Sequence, residues 1–153
     1  MKTAILLIAH GSPMAAVNED LHALVQLVRK RSGGDCIVEA AFLEGTAPDI
    51  PNGLNTCVAQ GATRVIAVPY FLLPGRHVAQ DLPQELHAAR ARHPEVEFVQ
   101  AEHLGGHELL ADIAWERVQA ADELWYNVDG TQGRPAAEEG EHERQPGREN
   151  GTL

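Results

Sequence analysis

Apolar residues follow two rhythms along this chain, and the rhythms alternate. Short apolar stretches at residues 3–9, 36–42 and 65–70 read as buried parallel strands, and residues 96–101 alternate like a strand at a sheet edge. Between them the spacing becomes helical. In residues 17–31 the apolar positions are Val17, Leu21, Leu24, Val25 and Val28, and Ser32-Gly33-Gly34 ends the run. A second helix is expected over 48–60 with Gly61 as its stop, a third over 78–93 and a fourth over 108–126. Pro83 is tolerable in the third only within its first turn or at a kink. Strand and helix thus alternate four times, which predicts an α/β fold, a four-stranded parallel sheet flanked by helices on both faces. Right-handed crossovers put all four strand ends on one side. From Asn127 onward Gly, Pro, Glu, Arg and Gln dominate and the pattern is lost. The expected organisation is an α/β domain over residues 1–126 and a disordered polar tail over 127–153.

Composition narrows the function classes. With 153 residues the chain can bury a real core as one domain. A net charge of −10 argues against nucleic acid as a partner, because phosphate binding needs a basic footprint. Cys36 and Cys57 form no CxxC pair, so a reduced, cytoplasmic setting is expected. No apolar run approaches the roughly 18 residues of a membrane span. Lys2 followed by the apolar run 4–9 is too short for a signal peptide.

The candidate chemistry lies at the strand–helix junctions. His10 follows the first strand, Glu44 the second and His77 the third. Two imidazoles and a carboxylate suit a borderline divalent metal such as cobalt, iron, nickel or zinc, with coordination positions left open. A neutral imidazole also accepts protons near neutral pH. Taken singly, His10 fits a turn, Glu44 an exposed loop carboxylate and His77 a helix cap. Their occurrence at equivalent junctions carries the metal-site reading. His107 stands at the fourth junction, where Gly105-Gly106 prevents a helical pair with His103. His22, His87 and His93 fall on expected helices and read as surface residues. Leu72 and Leu73, beside the Pro74-Gly75 turn, can wall a flat organic ligand. Other motif readings fail. A histidine phosphatase requires Arg where Ala9 stands, and neither Gly-x-Ser-x-Gly nor a glycine-rich phosphate loop occurs.

Several segments together resemble the small class II sirohydrochlorin chelatases, the CbiX-type cobaltochelatase/ferrochelatase family. Leu6-Leu-Ile-Ala-His-Gly-Ser12 resembles the family's opening strand and turn, and Phe42-Leu-Glu44 its second-strand signature. Val68-Pro-Tyr-Phe-Leu, Gly75-Arg-His-Val78 and Asp81-Leu-Pro83 resemble its most specific motif, and Leu104-Gly-Gly-His107 a looser fourth element. The resemblance covers residues 3–120. It implies ATP-independent insertion of Co²⁺, Fe²⁺ or Ni²⁺ into sirohydrochlorin, as in cobalamin or sirohaem biosynthesis, with no cofactor beyond the metal substrate. His10 and His77 then match the metal-binding and catalytic histidines, and Glu44 their acidic partner. Family members of this length are homodimers. Arg76, Ser12 and backbone N–H groups at helix starts are the expected donors to the substrate's carboxylates, with Leu72 and Leu73 against the ring and His107 a further substrate contact. A non-catalytic metal or tetrapyrrole carrier on the same fold uses the same ligands. The family pattern explains neither the tail nor the acidic balance.

Overall fold

The computed structural model describes residues 1–73 and 75–127, without the side chains of Val17, His77, Val78 and residues 125–127. Four strands, β1 (Thr3–Ala9), β2 (Ile37–Phe42), β3 (Arg64–Pro69) and β4 (Glu97–Gln100), form one parallel sheet in the order β2-β1-β3-β4. The helices are α1 (Ala15–Arg31), α2 (Ile50–Ala59), α3 (Leu82–Arg92) and α4 (Leu109–Asn127). The expected parallel α/β architecture is present, with β4 on an edge. The tail expected from Asn127 lies outside the described residues, apart from Asn127 itself, which ends α4.

Strand β1 sits between β2 and β3 and is buried on both faces, as its unbroken apolar run requires. Ala4, Leu6 and Ile8 point into a core shared with Ile50, Leu54 and Cys57 of α2 and Leu82, Leu86 and Ala89 of α3. Leu7 points the other way, toward Leu21 and Val25 of α1. Each fully buried leucine of this kind contributes roughly 1.5–3 kcal/mol. Helix α2 lies close on the sheet because Gly53 has no side chain. A Cβ there would stand 2.8 Å from the Ala41 Cβ. Its first turn is set by Asp49, whose Oδ1 accepts the Asn52 N–H at 2.9 Å, and by Pro51.

Both sheet edges are blunted. Arg29 Nη2 of α1 donates to Val38 O on β2, and Arg90 Nη2 of α3 donates to Phe98 O on β4, each at 2.7 Å. The charged side chain lying over each edge hinders pairing with a further strand.

The third helix departs from expectation. Instead of one helix over 78–93, residues His77–Asp81 form a π-helical turn and α3 begins at Leu82. Pro83 falls in the first turn of α3. It lacks the N–H that would bond to the Ala79 carbonyl, so the preceding turn widens rather than continuing as α-helix.

The chain divides into two compact units, Met1–Leu110 and Ala111–Leu153. The described part of the second is helical and exposes Ile113, Trp115, Val118 and Leu124. No helix among the described residues is long and apolar enough to cross a membrane.

Candidate functional site

The chain leaves β1 toward α1 and β2 on one side, and leaves β3 toward α3 and β4 on the other. The crevice between the carboxyl ends of β1 and β3 is therefore the topological switch point, where ligands bind in open α/β sheets. The backbone ladder runs past the strand ends there. Leu43 N–H donates to Ala9 O and Glu44 N–H to His10 O, both at 3.0 Å, while Tyr70 N–H donates to Ile8 O at 2.7 Å. The pairing that starts with Ala9 opposite Phe42 thus delivers His10 beside Glu44.

The side chains meet. His10 Nδ1 lies 3.4 Å from Glu44 Oε1, and both are largely exposed, at 56% and 69%. This proximity depends on Gly11, whose φ is +90° and whose missing Cβ would overlap the Glu44 carbonyl oxygen. The next residue is held too. Ser12 N–H donates to Asn18 Oδ1 at 3.0 Å, Asn18 Nδ2 donates to Ser12 O at 2.8 Å, and Ser12 Oγ accepts the Met14 N–H at 3.1 Å.

Two clefts flank the pair. One, of about 250 Å³, is lined by His10, Asn18, Asp20, Phe42 and Tyr70 among others. The other, of about 350 Å³, takes in Glu44 together with Asp49, Asp81 and Glu85. His10 thus borders one cleft and Glu44 the other, which is the carboxylate-rich one.

After β3 the surface changes character. Phe71 packs against the core, whereas Tyr70, Leu72 and Leu73 are 41%, 61% and 80% exposed. Arg76 is exposed, and the His77 backbone opens the π-helical turn. The fourth junction is tied to the third, since Leu104 N–H donates to Phe71 O at 3.0 Å. There His107 Nδ1 accepts the Leu109 N–H at 3.2 Å, which leaves Nε2 as the proton-bearing nitrogen of a neutral ring.

Of the expected metal ligands the structure brings His10 and Glu44 together, and the His77 side chain lies outside the described residues. Among the described residues no three His, Cys, Asp or Glu side chains are placed to hold a metal ion. Asn18, Asp49 and Asp81 are not among the site residues expected from sequence. Asp81 stands in the Asp81-Leu-Pro83 segment, whose carboxylate is the available signal. Nothing in the sequence alone marks Asn18.

A switch-point crevice with a His–Glu pair and an apolar rim stands at the strand edge where open α/β sheets bind ligands. The chain belongs to the CbiX family, whose family model matches residues 4–121. It is 35% identical over 115 residues to a sirohydrochlorin ferrochelatase of Priestia megaterium, a match covering 75% of this chain and 43% of that protein. It is 32% identical over 124 residues to a sirohydrochlorin cobaltochelatase of Methanococcoides burtonii, covering 76% of this chain and 94% of that protein. Among solved structures, the sirohydrochlorin chelatase SirB of Bacillus subtilis subspecies spizizenii in complex with cobalt superposes with a TM-score of 0.71 at 31% identity. That match covers 78% of this chain and 51% of SirB. The chain therefore spans about half the length of the bacterial relatives and nearly all of the archaeal one.

Proposed function

We propose that this chain is an ATP-independent class II chelatase that inserts a divalent metal, Co²⁺ or Fe²⁺ with Ni²⁺ also compatible, into sirohydrochlorin. The observation that carries the reading is the His10–Glu44 pair, 3.4 Å apart on an open strand edge. Insertion bonds the metal to the four ring nitrogens and releases two pyrrole N–H protons. The edge must therefore present a metal and take up protons. Glu44 beside Nδ1 favours the tautomer protonated there, which makes Nε2 the nitrogen assigned to the metal or to proton uptake. His77 supplies the second imidazole in this reading, and Glu44 offsets charge and passes a proton outward.

The macrocycle lies against Tyr70, Leu72 and Leu73, whose exposure in the free chain supports an apolar wall. Its carboxylates are met by Arg76, by the His107 Nε2–H and by the Ser12 hydroxyl. Ser12 Oγ accepts from Met14, which leaves its own hydrogen free to donate. Screening confines the opposing effect of the −10 net charge to about 8 Å at physiological salt. The chain acts as a cytoplasmic homodimer in cobalamin or sirohaem synthesis. The free thiols of Cys36 and Cys57 and the doubled length of several relatives support that setting. The test is to mix the chain with excess sirohydrochlorin and Co²⁺ and follow the absorption spectrum. Many turnovers per chain are expected, whereas a change limited to one equivalent identifies a carrier.

A further inference from the structure

We infer that Asn18 is a positioning residue for the His10 junction, an inference that deepens the proposed chelatase reading and rests on it. Asn18 is 8% exposed and is the buried polar side chain among the described core residues. It lies one turn into α1, yet both ends of its amide turn back to the loop that the helix follows. Oδ1 takes the Ser12 N–H at 3.0 Å and Nδ2 gives to the Ser12 carbonyl at 2.8 Å. The pair imitates one rung of a β-ladder in a segment with no strand to pair with. Asn18 is buried and Ser12 half-buried, so the Asn18 amide is costly to leave unpaired.

The loop is thereby fixed on both flanks of Gly11. Upstream, His10 O is held by the Glu44 N–H. Downstream, Ser12 is held by Asn18. Gly11 at φ +90° connects the two with its backbone against the Glu44 carbonyl. Asn18 also lines the same cleft as His10. The direction of the imidazole is thus set by a three-residue backbone arch, and Asn18 holds its far foot. Met14, at the N-cap position of α1, makes no side-chain cap, so Asn18 serves the loop rather than the helix end.

Asn18→Leu keeps the branched shape, somewhat enlarged, and removes both bonds. Asn18→Asp keeps the acceptor for Ser12 N–H but sets a second oxygen against Ser12 O. Each variant is compared with the unmodified chain for melting temperature, Co²⁺ affinity without substrate, and sirohydrochlorin turnover, at a temperature where circular dichroism shows it folded. The expected result is a roughly tenfold loss of kcat and of Co²⁺ affinity per folded molecule, with KM for sirohydrochlorin changed less than about twofold. Asn18→Asp should fall between Asn18→Leu and the unmodified chain. A lower melting temperature with unmodified kcat and Co²⁺ affinity would mean a merely structural role and overturns the inference. If Asn18→Leu does not fold, Asn18→Asp decides by the same criteria. Failure of the unmodified chain to turn over sirohydrochlorin defeats the chelatase reading instead, and Co²⁺ affinity alone then decides the role of Asn18.

Discussion

The junctions after β1 and β2 and the junction after β3 share one sheet edge but are built in opposite ways. At the first two, backbone and side chains are tied down. Glu44 N–H bonds His10 O, Asn18 holds Ser12 at both polar groups, and Gly11 closes on Glu44. After β3 the chain instead turns apolar side chains to solvent, and a Cβ at Gly75 would meet nothing within 4 Å. The tied junctions fix the heteroatoms that the proposed reading gives to coordination and proton transfer. The open one offers area, which is what a large flat ligand needs and which tolerates small displacement. In the proposed reading the constrained junctions hold His10 and Glu44 for the chemistry, while the adaptable one lends its exposed leucines to binding and His77 to the metal.

That contrast can be broken at its most constrained point. Gly11→Ala requires a side chain at φ +90° and an overlap with the Glu44 oxygen, so the junction must open. The strain alone is about 1–3 kcal/mol. Loss of the His10–Glu44 approach should lower the insertion rate about 100-fold, read from initial rates on protein shown to be folded. Glu44→Gln leaves the shape intact and removes the charge beside Nδ1. An approximately tenfold slower rate with unchanged sirohydrochlorin binding is expected from steady-state kinetics. On the open half, Leu72→Ser with Leu73→Ser should act on binding, raising KM about fivefold with kcat nearly constant. A kcat effect as large as that of Glu44→Gln would erase the distinction between the tied His10–Glu44 pair and the apolar rim.

A smaller effect belongs to the core beneath. Burial, and secondarily the negative charge of Glu39, pushes the Cys57 thiol from 9.0 up to about 12. The fold therefore holds the neutral thiol. Its contribution is complete below pH 9 and is lost as pH rises through 12, because the unfolded chain gives up the proton first. Stability should fall more steeply over that interval in the unmodified chain than in Cys57→Ala, by at most about 1.4 kcal/mol per pH unit in urea titrations.

The sheet is legible in the sequence because buried parallel strands leave unbroken apolar runs. Leu6, Leu7 and Ile8 face alternate sides, and all three are core. The convergence of His10 and Glu44 follows from equivalent positions past neighbouring strands. The π-helical turn does not follow, since the 78–93 pattern fits an α-helix and only the missing Pro83 N–H distinguishes the two. Asn18 is illegible for another reason. Its role depends on the loop folding back over the start of α1, a tertiary event that helical periodicity does not encode. Composition shifts at Asn127, whereas the folded chain divides into its compact units after Leu110.

In the proposed reading the histidines of this edge carry out metal insertion, and one side-by-side measurement tests that directly. Initial rates of Co²⁺ insertion into sirohydrochlorin are compared for the unmodified chain, His10→Ala, His77→Ala and His87→Ala, the last on the exposed face of α3. A loss of at least about 100-fold is expected for His10→Ala and His77→Ala, and no change for His87→Ala. Near-normal rates in His10→Ala or His77→Ala with Co²⁺, Fe²⁺ and Ni²⁺ alike would contradict it.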